Sequence, residues 1–154
     1  MSAERSLRGA LKSLLSVRGA RSKDGRPRDH RRALGRYGEW IALEHLQARG
    51  FTLLARNYRT RRGEIDLIAF DGYTLIFVEV KTQQLGTSQK RMSVNPLEWL
   101  SASQLARYRP VAQAWLDDER HECPSAQNMR FDAIGVLVDA QGAVVDLKYV
   151  EGSE

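Results

Sequence analysis

Gly63-Glu64-Ile65-Asp66-Leu67-Ile68-Ala69-Phe70-Asp71-Gly72-Tyr73-Thr74-Leu75-Ile76-Phe77-Val78-Glu79-Val80-Lys81 reads as two apolar strands joined at Asp71-Gly72. Asp-Gly between two such runs is a strong hairpin signal, because both residues of the favoured two-residue turn take φ > 0. That turn predicts a register in which Phe70 faces Tyr73, Ile68 faces Leu75, Asp66 faces Phe77 and Glu64 faces Glu79. Strand side chains alternate between faces, so Glu64, Asp66, Glu79 and Lys81 share one face. Asp66 and Glu79 become diagonal neighbours, roughly 7–8 Å apart at the backbone and able to reach one ion between them. Strands this apolar are normally covered on both faces, and carboxylates buried there need a cation or hydrogen-bond donors.

Two readings of the charged face stay open on the residues alone. Glu79 and Lys81 can form a surface ion pair of little energetic consequence. Alternatively, the like charges of Glu64 and Glu79, set opposite each other, call for compensation, and a divalent cation supplies it. Acidic groups, a backbone carbonyl and waters suit Mg²⁺, a hard ion that prefers oxygen ligands.

The chain of 154 residues is long enough for one domain with a real core. It has no apolar run long enough for a transmembrane helix, and the basic N-terminus lacks the apolar core of a secretory signal. A single cysteine, Cys123, excludes an internal disulfide framework and suits a reducing, cytoplasmic setting. The three histidines, His30, His45 and His121, show no metal-ligand spacing; His45 reads as a helix-face residue and the other two as exposed. Residues 1–32 hold ten Lys or Arg against three acids, a net of +7, while the remainder holds 14 against 16, a net of −2. The polar, breaker-rich run from Ser22 to Arg28 makes 1–32 a basic, disordered arm, suited to non-specific phosphate contact or to solubility. Residues 33–152 are then the folded domain.

Within that domain, 33–50 reads as a helix stopped by Gly50. Its apolar positions include Tyr37, Ile41 and Leu46, and Glu39 falls on or beside the same stripe. A strand follows over 51–59, then a basic turn, Thr60-Arg61-Arg62-Gly63, just before the acidic hairpin. Arg56, Arg59, Arg61 and Arg62 are placed to hold phosphates beside the acidic face or to balance its carboxylates. Residues 82–95 read as a loop. A second helix covers 101–120, with Ser101 as N-cap, Gln104 at the capping-box position, a stripe of Leu105, Tyr108, Ala112, Trp115 and Leu116, and a kink at Pro110. Strands over 129–138 and 143–150 complete a mixed sheet covered by helices.

A helix bearing an acid, then a strand Asp, then Glu-x-Lys on the next strand resembles the PD-(D/E)XK nuclease superfamily. The wording is closer still to the YraN family of uncharacterised bacterial proteins, which itself resembles archaeal Holliday-junction resolvases. The residues that carry this are Gly35-Arg36-Tyr37-Gly38-Glu39, Arg56-Asn57-Tyr58-Arg59, Gly63 to Ala69, Phe77-Val78-Glu79-Val80-Lys81-Thr82 and Arg130-Phe131-Asp132. The resemblance spans about 33–150. It implies a restriction-endonuclease-like α/β fold, a mixed β-sheet flanked by helices. It implies Mg²⁺ (or Mn²⁺) held by Asp66, Glu79 and the Val80 carbonyl. Glu39 corresponds to the helix acid that steadies a water on the metal or a second ion, and Lys81 to the lysine beside the attacking water. The function implied is an endonuclease hydrolysing DNA phosphodiester bonds, at branched junctions. The alternative is a nucleic-acid-binding protein with the same fold and no significant catalysis. The chain departs from the family pattern at Gln83, where Arg is usual, and at Gln104, which aligns with a frequent lysine. Monomer and homodimer are both open.

Overall fold

The computed structural model describes residues 28–85 and 100–152. Residues 1–27 (most of the basic arm), 86–99 and the last two residues lie outside the described residues; of the stretch 82–95 read as a loop, Thr82, Gln83 and Gln84 instead continue the strand that begins at Thr74. The order is α1 (Arg28–Ala48), β1 (Thr52–Thr60), β2 (Gly63–Phe70), β3 (Thr74–Gln84), α2 (Ala102–Leu116), β4 (Asn128–Val138) and β5 (Val144–Val150). The five strands form one sheet in the order β1-β2-β3-β4-β5. All neighbours are antiparallel except β3 and β4, which run parallel from Thr74–Asn128 to Gln84–Val138. A parallel pair needs a long crossover, and α2 lies in it.

Period-two alternation sends the apolar strand residues to both faces. On β3, Ile76, Val78 and Val80 pack with Tyr37, Ala42 and Leu46 of α1, whereas Leu75 and Phe77 pack with Val111 and Trp115 of α2. Phe77 sits between Trp115, edge-on at 6.0 Å, and Phe131, stacked at 5.4 Å. Each such side chain, fully buried, contributes about 1.5–3 kcal/mol of hydrophobic stabilisation. One helix therefore covers each face of a mixed sheet, the α/β arrangement of restriction-endonuclease-like folds.

Helix α1 starts five residues earlier than the sequence suggests. His30, Ala33 and Leu34, at i, i+3 and i+4, extend its buried stripe upstream, so His30 is buried rather than exposed, and 28–32 belong to the domain. At the other end Gly50, with φ +90°, takes the left-handed position that ends a helix. The Phe51 N–H reaches the Leu46 carbonyl at 3.1 Å and the Gly50 N–H the Gln47 carbonyl at 3.0 Å. These are the two bonds of a Schellman stop, with Phe51 and Leu46 both buried beside it.

Helix α2 ends at Leu116, four residues short of the sequence reading, because Asp117 to Arg120 bring nothing apolar to bury. Asp118 instead accepts the Arg120 N–H at 3.1 Å. The helix runs uninterrupted through Pro110, and Ser101 caps it by extended backbone without a side-chain bond.

The hairpin between β2 and β3 has a different turn from the one predicted. Phe70 pairs with Leu75, and Ile68 with Phe77. Asp71, Gly72 and Tyr73 form the loop; only Gly72 (φ +96°) has positive φ. The Asp71 carboxylate accepts the N–H groups of Tyr73 at 2.9 Å and Thr74 at 2.7 Å, an Asx turn that a two-residue loop has no room for. The register moves by two residues, so the paired side chains keep their predicted faces; beyond the ladder Ile65 departs from alternation and packs with Ile68, Phe77 and Val111 on the α2 face. Partners change: continued past the last pair, Leu67–Val78, the register sets Asp66 across from Glu79 and Glu64 across from Lys81.

Candidate active-site cleft

The ladder between β2 and β3 stops at Leu67–Val78, and a cleft of about 420 Å³ opens where it stops. Glu64 and Asp66 line it from β2, Glu79, Val80 and Lys81 from β3, Arg62 from the β1–β2 turn, and Gln104, Arg107 and Tyr108 from α2. Asp66 is 9% exposed. Its Oδ2 accepts the Val80 N–H at 2.7 Å, taking the place a ladder carbonyl would otherwise fill. In an extended strand a residue's N–H and C=O point the same way, so the Val80 carbonyl opens onto the same gap.

Burial, and next the charge of Glu79, push the Asp66 carboxyl up to about 7; the Val80 N–H pulls the other way. Near neutral pH this group is therefore poised between its two forms and favours any cation brought beside it. Glu79 already has one: its Oε1 is ion-paired with the Lys81 ammonium. The Glu79 side chain is only 11% exposed, against 49% for that of Lys81, so the lysine reaches into the cleft from its rim. Tyr108 donates its hydroxyl to Glu79, and burial together with that charge pushes the phenol well above its ordinary range.

Other residues singled out in the sequence are distributed unevenly. Glu39, on α1, does not line the cleft. The Asn57 side-chain amide holds its Oε2 at 2.9 Å, and its charge still weighs on Asp66. Asn57 takes φ +49° in β1 to make that contact, a conformation asparagine tolerates better than most residues. Gly38 explains how the helix comes so near: a Cβ there would lie 1.6 Å from the Thr82 hydroxyl of β3. Arg59 pairs with Glu64 at 2.8 Å, both exposed, so Glu64 is balanced by an arginine rather than opposed by Glu79. Arg56 is exposed on β1, outside the cleft. Arg61 and Arg62 sit on the turn, and Arg62 alone of the four arginines lines the cleft. Arg130 and Asp132 form a structural tie. Buried Asp132 accepts the Arg130 guanidinium at 2.8 and 3.0 Å, the Gly152 N–H at 3.0 Å and the Tyr149 hydroxyl.

Sequence reasoning missed Arg107 and Tyr108 as cleft residues. Tyr108 fits the apolar stripe of α2, but the buried residues of that helix are Val111, Ala112 and Trp115, and Tyr108 is half-buried. The available signal was Gln104, one turn before both, at the position where the resemblance leads one to expect a lysine.

The donor set fits a hard divalent ion: two carboxylates and a main-chain carbonyl on one gap, all oxygen. Among the described residues no group of three or more His, Cys, Asp and Glu gathers around a single ion position, since Glu39 is turned to Asn57. An ion held here keeps several waters, as Mg²⁺ does.

The sequence profile described as "Uncharacterised protein family UPF0102" matches residues 38–136. A UPF0102 protein of Acidothermus cellulolyticus is 39% identical over 131 residues, covering 80% of this chain and 94% of the relative. One from Streptomyces griseus is 42% identical, covering 75% and 91%, and one from Chlorobium chlorochromatii 46% identical, covering 70% and 76%.

Proposed function

The chain belongs to the uncharacterised family UPF0102, the YraN family, and from that premise we propose that it is a Mg²⁺-dependent endonuclease hydrolysing phosphodiester bonds of DNA, at branched junctions. One observation carries the reading. Where the ladder parts, Asp66 and Glu79 face one gap, with Lys81 two residues beyond Glu79. Asp66, Glu79 and the Val80 carbonyl would hold the ion. When bound, Mg²⁺ (or Mn²⁺) lowers the pKa of water and stabilises the charge that develops on phosphate. Two carboxylates offset the charge of one divalent cation, so side chains that are not ligands must offset the further negative charge of the phosphate.

Lys81 is the side chain placed to do so. Once the carboxylates are neutralised by a cation, its ammonium is free to donate to the attacking water or to a phosphoryl oxygen. The water gives up a proton to solvent as its oxygen adds to phosphorus, the bond from phosphorus to the leaving oxygen breaks, and that oxygen takes up a proton from solvent. Tyr108 keeps Glu79 in place by its hydroxyl. Arg62 and Arg107, both lining the cleft, suit bidentate contact with phosphate.

A second reading, a nucleic-acid binder without turnover, is favoured by Glu39 standing outside the cleft. Labelled single-stranded, duplex, flap and four-way DNAs incubated with Mg²⁺, Mn²⁺ or chelator separate the two. Metal-dependent cutting, strongest on the branched forms, supports the enzyme. Binding without cutting on any of them, with either metal, supports the binder.

A further inference from the structure

Beside the cleft lies a second groove, of about 580 Å³, between the β1–β2 turn and the outer face of α2. Arg61 and Arg62 enter it from the turn and Arg109 from the helix. Arg62 lines both concavities, so they meet at one side chain. Among the described residues, Arg49, Arg59, Arg120 and Arg130 are all in ion pairs. Among the described residues none of Arg61, Arg62 and Arg109 has an acidic partner. One acid lines the groove, Asp117, and it accepts the Gln113 side-chain amide at 2.9 Å. Three guanidinium groups against one carboxylate leave a net positive trough. The groove is also pre-shaped: the Thr60 hydroxyl accepts the Arg62 N–H at 3.0 Å and fixes the turn, and Arg109 rides on a continuous helix.

A trough with this charge, continuous with a cleft for a phosphodiester, suits an extended polyanion rather than a small acid. Resting on the function proposed above, we infer that the groove is a second phosphate-binding segment. It carries the nucleic-acid backbone away from the cleft past the β1–β2 turn, so that the protein grips the strand beyond the bond it acts on. Arginine suits this role because its planar fork matches phosphate oxygens, and each contact releases counterions.

The test is binding in chelator, so that no cutting intervenes. Two probes are used: a short hairpin that fills only the cleft, and a duplex of two helical turns, about 20 base pairs. Arg61→Ala and Arg109→Ala, both at exposed positions, should each lower the salt slope for the long duplex by about one, and the pair by about two. The short hairpin should bind all variants equally. Arg61→Lys with Arg109→Lys should restore the slope, and Lys148→Ala on β5 should leave it unchanged. Unaltered slope and affinity for the long duplex, or an equal loss with the short hairpin, overturns the groove. Wild-type protein that binds neither probe overturns both the groove and the function proposed above. Wild type that binds in chelator but cuts neither probe once Mg²⁺ or Mn²⁺ is restored removes only the enzyme.

Discussion

At the scale of single residues, the cleft concentrates opposed demands on Asp66 and Lys81. Lys81 serves Glu79 as an ion-pair partner in the metal-free protein and, in the proposed reaction, the developing charge on phosphate. Interactions made mainly in the transition state lower turnover more than ground-state affinity. Lys81→Ala should therefore cut cleavage on the order of 10²–10³-fold while DNA affinity falls much less; equal losses in both would reduce Lys81 to a binding contact. Asp66 makes a prediction that needs no substrate. Its folded-state pKa, about 7, lies above the ordinary 3.8, so the folded protein holds a proton that the unfolded chain releases between those values. This contribution is complete below about pH 3.8 and is lost as pH rises through about 7. In chelator, wild type should lose up to a few kcal/mol across that window, and Asp66→Asn should lose far less. Parallel stability curves for the two proteins would contradict this account. The acidic pair was legible in the sequence because both members lie on one hairpin. Tyr108 was not, because a tyrosine at helical spacing looks the same whether its ring fills a core or its hydroxyl serves a carboxylate.

At the scale of elements, type and order were legible and boundaries followed burial. Periodicity found the five strands and two helices of the described residues, because one apolar face to each helix is what the pattern encodes. The hairpin register was misjudged because Asp71 satisfies two backbone donors with its side chain, an option the Asp-Gly rule does not weigh. The predicted face survived because a shift of two preserves alternation. What no periodicity shows is how closely α1 approaches β3. Gly38 marks that approach, since a Cβ would collide with Thr82. Gly38→Ala should cost about 1–3 kcal/mol by overpacking, read as a drop in melting temperature. Because Glu39 is the next residue, the same change should disturb its bond to Asn57. An unchanged melting temperature would show the contact to be loose.

At the scale of the whole molecule, charge divides sharply along the chain. Residues 1–27 hold seven Lys or Arg and two acids, a net of +5; residues 28–154 hold 17 of each. The domain is thus neutral in sum, and its positive trough beside the cleft is local. Deleting 1–27 should reduce the salt slope of DNA binding by as much as about six, one counterion term for each cation lost, while the dependence on Arg61 and Arg109 persists. An unaltered slope would assign the leading segment no part in binding. The parallel pairing of β3 with β4 has a further consequence, for the order of folding. The β1–β2–β3 meander closes through short turns, so it can assemble by local search, whereas β4 must find β3 across the whole crossover that contains α2. Loop-closure entropy makes such distant pairings slow. Ile134→Val, in β4, should therefore speed unfolding with little change in the folding rate, and Ile68→Val, in β2, should slow folding. Rates measured across a denaturant series distinguish these cases. If that order holds, the strands carrying Asp66, Glu79 and Lys81 are in register before the rest of the sheet closes on them, and a nascent chain holds its acidic pair early.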